Sequence, residues 1–235
     1  MMILGIESSA GPASCALYDG DAVIAEAFAN NGLTHSKTLM PMIENTMALA
    51  GVSIGDVDLI AVSAGPGSFT GLRIGVSIAK GLAWAGDIRC AGVSTLEAMA
   101  CGISFLDSSV CSVMDARRKQ VYNAMFDIVG GRTARITDDR AISLEELSDE
   151  IEKSEKKYIL VGDGTELCYN YLKNRGIAVE KAPPEMVFQR ARGVVMLGAQ
   201  AYKDGKTVSA SELRPVYIRL PQAERELNEK RKPAE

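Results

Sequence analysis

"SAGPGSFTGLRIG", Ser63 to Gly75, is the stretch on which the reading of this 235-residue chain turns. Glycines stand at 65, 67, 71 and 75, between the apolar runs "VDLIAVSA" and "TGLRIGVSIAKGLAWAG". The first run predicts a buried strand and the second a helix, so the glycines occupy a strand-to-helix turn. Two kinds of loop have this form. One offers the amides of a helix N-terminus to an anion; the other is a sharp turn that needs residues without side chains. A P-loop is excluded, because it needs Lys and Ser/Thr directly after its second Gly, and Gly71 is followed by Leu72 and Arg73. The dinucleotide fingerprint is excluded too, since Gly65, Gly67 and Gly71 run G-x-G-x-x-x-G, one residue too long.

Within the helix, Gly71, Gly75, Ala79 and Ala83 recur every fourth residue and share one slowly drifting face. Small residues there let another helix come close. Arg73, Ser77 and Lys80 form a polar stripe and nearly everything else is apolar, which predicts a helix sandwiched on more than one side. Its own sheet covers one side. For the other, the pattern favours a helix of the same chain over a partner protein.

Working outward, "MILGIE" reads as a strand and "SSAGPA" as a turn, and "SCALYDGDAVIAEAF" as two strands joined at Asp19-Gly20. In "THSKTLMPMIENTMALAG", Leu39, Met42, Ile43, Met47 and Ala50 fall at helical spacing, with Gly51 as the stop and Pro41 in or near the first turn. "IRCAGVS" predicts a fifth strand and "TLEAMACGI" a third helix. The order βββαβαβα is a three-stranded meander followed by parallel crossover units. Beyond it, "DSSVCSVMDARRKQVYNAMFDIVG" predicts two strands around a charged turn. A helix "SLEELSDEIEKSE", a strand "KYILVGDG" and helices "TELCYNYLKNRG" and "RGVVMLGAQAYKDG" follow. The expected organisation is an α/β domain over 1–105 and a second over 106–221, whose last helix can return to the first. A charged tail over 222–235 reads as a frayed helix or disorder.

Hydrophobic residues make up 47% of the chain and charged ones 24%, the balance of an ordinary globular protein. A net charge of −4 argues against a protein that holds RNA mainly through its own surface. The five cysteines contain no C-x-x-C pair and read as reduced thiols packed in a core. No apolar run approaches the roughly 20 residues of a membrane span, and the start lacks a basic leader, so a cytoplasmic protein is expected.

Several residues are candidates for chemistry. Glu7, Ser8 and Ser9 end the first strand, where a hairpin can close around a phosphate and a carboxylate can hold its metal. An exposed polar hairpin is the alternative. His35 is the only histidine, which rules out a two-histidine metal site and leaves any Ser-His-Asp or Cys-His chemistry dependent on it. No nucleophile-elbow pattern accompanies it. Asp115 and Arg117 in "MDARRKQVY" read as a turn salt bridge, or as a pair that recognises an anion.

The whole series resembles the TsaB (YeaZ) family. The resemblance is carried by "ILGIESSAGPASCAL", "THSKTLMPMIENTMALAG", "IAVSAGPGSFTGLRIGVSIAKGLAW", "GVSTLEAMA" and "MDARRKQVYNAMF", with "LRPVYIR" near the end in the same style. It is densest over residues 2–126. It implies an actin-like fold, shared with Hsp70 and sugar kinases, of two related α/β subdomains. It also implies a role in making N6-threonylcarbamoyladenosine (t6A) in tRNA. The expected role is a non-catalytic partner of the TsaD-type paralogue, joined by a TsaE-type ATPase, with tRNA engaged only through the complex. A homodimer is expected when the partner is missing. No cofactor of its own is expected, though ATP or ADP can act in the complex.

TsaD-type chains carry a "HHMEGH"-like metal segment where this chain has "VSTLEAM", with Ser94, Thr95 and Met99 in its place. The metal site is therefore expected to be absent and Glu97 to be an ordinary helix residue. "GIESSAG" is similar to the first phosphate loop of TsaD, which keeps a phosphate contact at Glu7, Ser8, Ser9, Gly65 and Gly67 open. In the family, the helix after the glycine turn and the one before it build the pairing surface. The resemblance thus reverses the preference for internal packing and assigns Leu39, Met42, Ile43, Leu72, Gly75 and Ile78 to a four-helix contact with the partner. The alternatives are a nucleotide-dependent enzyme of the actin-like fold and, more distantly, a glycoprotease-like hydrolase.

Overall fold

The apolar opening residues form β1 (Ile3–Glu7), a strand buried along its whole length. It pairs antiparallel with β2 (Ala13–Tyr18) and parallel with β4 (Leu59–Gly65). β3 (Val23–Ala29) and β5 (Arg89–Ser94) complete the sheet in the order β3-β2-β1-β4-β5. Strands apolar on both faces need cover on both. On one face lie α1 (His35–Ala50) and α2 (Phe69–Gly86), whose Leu39, Ile43, Val76 and Ala79 pack on Leu4, Ile6, Ile60 and Val62. The fifth strand leads into α3 (Thr95–Cys101), capped by the Ser94 hydroxyl, which accepts the Glu97 amide. The computed structural model describes residues 1–219, so the charged tail expected at 222–235 lies outside the described residues.

The second half repeats the plan. β6 (Ser108–Asp115) pairs antiparallel with β7 (Gln120–Val129), which also pairs with β8 (Arg132–Arg135) and β9 (Arg140–Ser143). After α4 (Leu144–Ser154), β10 (Tyr158–Val161) joins β6 in parallel. After α5 (Thr165–Asn174), β11 (Glu180–Lys181) joins β10. Read from β8 to β11, this sheet has the strand order of the first. Two α/β halves of one topology make the actin-like fold expected from the sequence. α4 and α5 cover one face of the second sheet, with Leu147, Ile151, Cys168 and Leu172 on Val113, Met125 and Leu160.

The remaining faces are covered by exchange. α3 follows the first sheet but sets Leu96, Met99 and Ala100 against Val110, Phe126 and Ile128 of the second. α6 (Ala191–Lys203) follows the second sheet but sets Val194, Val195 and Ala199 against Ile3, Leu59 and Ala61 of the first. The two helices meet where Gly193 of α6 crosses Ala98 of α3, so closely that a Cβ at Gly193 would fall inside the van der Waals shell of the Ala98 carbonyl.

Some local expectations are corrected. The Asp19-Gly20 connection is a four-residue loop: the Asp19 carboxylate accepts the amides of Asp21 and Ala22 at 2.9 Å each, and the Asp19 amide donates to the Ala22 carbonyl at 3.1 Å. An Asx-type turn outcompetes the two-residue turn here. Pro41 is the seventh residue of α1, one turn later than expected. It is exposed, so water can reach the Lys37 carbonyl that loses its intrahelical donor. β8, β9 and β11 had no sequence signal, being two to four residues long and at least half polar. All five cysteines are buried, and burial pushes the Cys111 thiol up to about 12.

The Gly193 crossing gives a paired prediction. Gly193→Ala should destabilise the fold by about 1–3 kcal/mol through overpacking. Gly81→Ala, on α2 where nothing lies within 4 Å of the added carbon, should stabilise it by about 0.5–1 kcal/mol. Urea denaturation of the two variants beside the parent checks both signs.

Candidate functional sites: the interlobe cleft and the α1–α2 face

The turn from β4 into α2 is closed by contact with the end of β1. The Ser68 amide donates to the Ser9 carbonyl at 2.7 Å, and the Ser8 hydroxyl donates to the Gly71 carbonyl at 2.9 Å. Side chains at Gly67, Gly71 or Gly75 would strike Ser9 or Ser8, and at Gly65 the carbonyl of Val216. Gly65 also has φ 142°, a conformation closed to ordinary residues. The glycines therefore seat α2 on the β1–β2 turn. The small-residue stripe lies against that turn and the sheet, not against a second helix, because Gly71, Gly75, Ala79 and Ala83 are all inward.

Glu7, Ser8 and Ser9 do not form an exposed hairpin; all three are buried under the α2 N-terminus. One Glu7 carboxyl oxygen accepts the Ser9 amide at 2.6 Å and the other accepts the Ser63 hydroxyl. The group thus ties the β1 turn to β4. Burial, outweighing these hydrogen bonds, raises its pKa above the usual carboxylate value.

Between the halves lies a cleft of about 540 Å³. The β1–β2 turn (Ser9), the starts of α1 and α2 (His35, Ser68), the β6–β7 turn (Asp115, Arg117) and Asp163 line it. The Ser9 hydroxyl is buried and has no hydrogen-bond partner among the described residues. His35 is the first residue of α1, with Nε2 3.1 Å from the Pro12 carbonyl. The expected side-chain salt bridge between Asp115 and Arg117 is corrected: Asp115 accepts the Arg117 backbone amide at 2.7 Å, leaving the guanidinium outside the bond. Burial raises the pKa of Asp163, which accepts the Gln189 side-chain amide at 2.6 Å. Glu97 lies outside the cleft, paired with Arg135 at 2.5 Å; Arg135 also holds Asp139 at 2.6 Å. No group of three His, Cys, Asp or Glu among the described residues is placed to hold a metal ion.

The second candidate is the outer face of α1 and α2. Leu39, Ile43, Leu72 and Gly75, expected on a partner contact, are inward and belong to the core, because the sheet claims the most apolar sector of each helix. Met42 and Ile78 are half-buried. A shallow groove of about 510 Å³ between the helices is lined by Met40, Arg73, Ile74 and Ile78 among others. At the far ends of the helices Leu49 is 88% and Trp84 76% exposed. Spacing alone missed Met40, Ile74, Leu49 and Trp84. The signal was a helix apolar on more than one side, which marks surplus apolar surface without assigning sides.

Glu7 makes a pH prediction. Its folded pKa lies above its unfolded value of about 4.5, so its favourable contribution is full below that value and is lost as pH rises through the raised one. Glu7→Gln, which keeps the shape without the charge, should flatten this part of the stability profile. Denaturation midpoints of parent and variant across this pH range measure the difference, which isolates Glu7 from Asp163 titrating nearby.

A family model described as "TsaD: tRNA N6-adenosine threonylcarbamoyltransferase" matches residues 26–227. The Bacillus subtilis (strain 168) "tRNA threonylcarbamoyladenosine biosynthesis protein TsaB" is 30% identical over 231 residues, 95% of this chain and 96% of that one. The Escherichia coli (strain K12) protein of the same name is 29% identical, over 93% of this chain and 95% of its own. Among solved structures, YeaZ from Pseudomonas aeruginosa aligns with a TM-score of 0.79 at 24% identity, over 92% of this chain and 99% of that one. Matched almost end to end by such a relative and by a family model over most of its length, the chain belongs to the TsaB (YeaZ) family, within the wider TsaD family.

Proposed function

We propose that this chain is the non-catalytic partner subunit of the assembly that makes t6A in tRNA, pairing with a TsaD-type transferase through the outer face of α1 and α2. The names of its relatives support the t6A pathway. The observation that carries the pairing is the helix face itself. After the sheet has covered Leu39, Ile43 and Leu72, the two helices still present Met40, Met42, Ile74 and Ile78, ending at exposed Leu49 and Trp84. Apolar surface of this kind favours a cover. A TsaD-type chain, with a related fold, offers a matching helix pair; without it, a second copy can take the place in a homodimer. A TsaE-type ATPase completes the assembly, and tRNA is engaged through the complex.

Light scattering of the chain alone and mixed with its cognate TsaD-type protein, followed by threonylcarbamoyl transfer to tRNA, tests the reading. Transfer should need both chains. Ile78→Glu should weaken heterodimer formation by roughly 100-fold, as expected for a charge buried in an interface, and leave the monomer folded. Gly75 is unsuitable for this test, since a side chain there strikes Ser8. An Ile78→Glu chain that still pairs at full affinity would refute the assignment.

A second reading, a nucleotide-dependent enzyme of the actin-like fold, is favoured by one observation, the unpartnered Ser9 hydroxyl on the cleft wall. ATP turnover by the isolated chain, reduced by Ser9→Ala, would replace the first reading.

A further inference from the structure

The turn between β6 and β7 carries Arg117, Arg118 and Lys119, three exposed cations in a row on a chain of net charge −4. None has an ion-pair partner among the described residues, whereas Arg135, Arg140, Lys156 and Arg175 all do. All three also hold left-handed backbone conformations, with φ of 64°, 56° and 58°. A single non-glycine residue there is uncommon, and three in succession persist only where surrounding bonds over-determine them. The bonds are present. Asp115 accepts the Arg117 amide, Ala116 donates to the Gln120 carbonyl at 3.0 Å, and Gln120 donates back to the Arg117 carbonyl at 3.1 Å. Leu144, at the start of α4, donates to the Lys119 carbonyl at 3.2 Å, and Arg219 donates to the Ala116 carbonyl at 2.6 Å.

The turn is thus bonded at Ala116, Arg117, Lys119 and Gln120 and presents three like charges whose mutual repulsion an anion would relieve. Only Arg117 lines the cleft; Arg118 and Lys119 stand outside it. Of the three, a small anion seated in the cleft would reach Arg117 alone, beside Arg219 on the same lining, whereas a chain of phosphates can use all three. We infer that this turn is a phosphodiester contact, gripping the backbone of the RNA that the assembly modifies. The inference rests on the t6A reading above. It is compatible with an acidic chain: a local basic turn supplies a few phosphate contacts while the complex supplies the rest.

The test uses the chain together with its TsaD-type partner. Asparagine tolerates left-handed backbone, so a variant with Arg117→Asn, Arg118→Asn and Lys119→Asn removes the charge and keeps the turn. A second variant, Arg118→Lys, keeps the charge. Affinity for a tRNA transcript is measured by fluorescence anisotropy over a salt series, heterodimer formation by light scattering, and inorganic tripolyphosphate binding by calorimetry. The triple variant should pair with its partner normally but bind tRNA about tenfold more weakly, with the log–log salt slope reduced by about 2–3. Arg118→Lys should behave as the parent. Unchanged tRNA affinity and slope in the triple variant would overturn the inference. So would loss of pairing, which makes the turn a protein contact, or loss of tripolyphosphate binding alone, which makes it a small-anion site. A parent chain that pairs with nothing and binds tRNA in no mixture overturns the t6A reading as well, whereas a working parent complex with an unaffected variant overturns only the turn.

Discussion

The close crossing of α3 and α6 is the constraint from which the rest of the architecture follows. Each sheet has two apolar faces, and each half supplies two helices for only one of them. The other face is covered by the terminal helix of the opposite half, α6 on the first sheet and α3 on the second. Neither half would bury its core alone. Gly193 lets the two helices cross at backbone contact, so both reach across at once. The halves are consequently held at a defined separation, and the cleft between them is a product of this exchange.

The same closeness decides what the cleft can be. Its floor is the β1–β2 turn, where α2 has been drawn down onto Ser8 and Ser9 by three glycines, Gly67, Gly71 and Gly75. The Ser68 amide, the kind of group that an anion would seek at a helix start, is occupied by the Ser9 carbonyl. Glu7 is turned inward between Ser9 and Ser63. The polar groups that face outward from the opposite lip belong to the β6–β7 turn. Ser8 and Ser9 join the β1–β2 turn to the start of α2, while on the other side the Arg117 guanidinium stands outside the bond that Asp115 makes to the Arg117 amide.

Much of this was legible in the residues. The βββαβαβα order, the strand-to-helix turn and the family resemblance all rest on local patterns, because glycine at a sharp turn and apolar periodicity of 2 or 3.6 are local constraints. The similarity of the halves was not read from the residues themselves: β8, β9 and β11 are too short and polar to announce themselves, and the topology shows only when they pair. The partner face was half legible. Leu39 and Ile43 share a helical stripe with Met42, and spacing cannot say which edge of a broad stripe the sheet will claim.

What the sequence determined by itself is the inventory: an ordinary globular composition, one histidine, scattered cysteines, a glycine turn feeding a smooth helix, and a motif set that names the family. Tertiary structure decided direction. It turned Glu7 and the small-residue stripe inward, left Arg117, Arg118 and Lys119 without carboxylate partners among the described residues, and sent each terminal helix to the other half's sheet. The physical reason is that pattern is a property of neighbours along the chain, whereas burial and pairing depend on residues tens of positions away that come together only on folding.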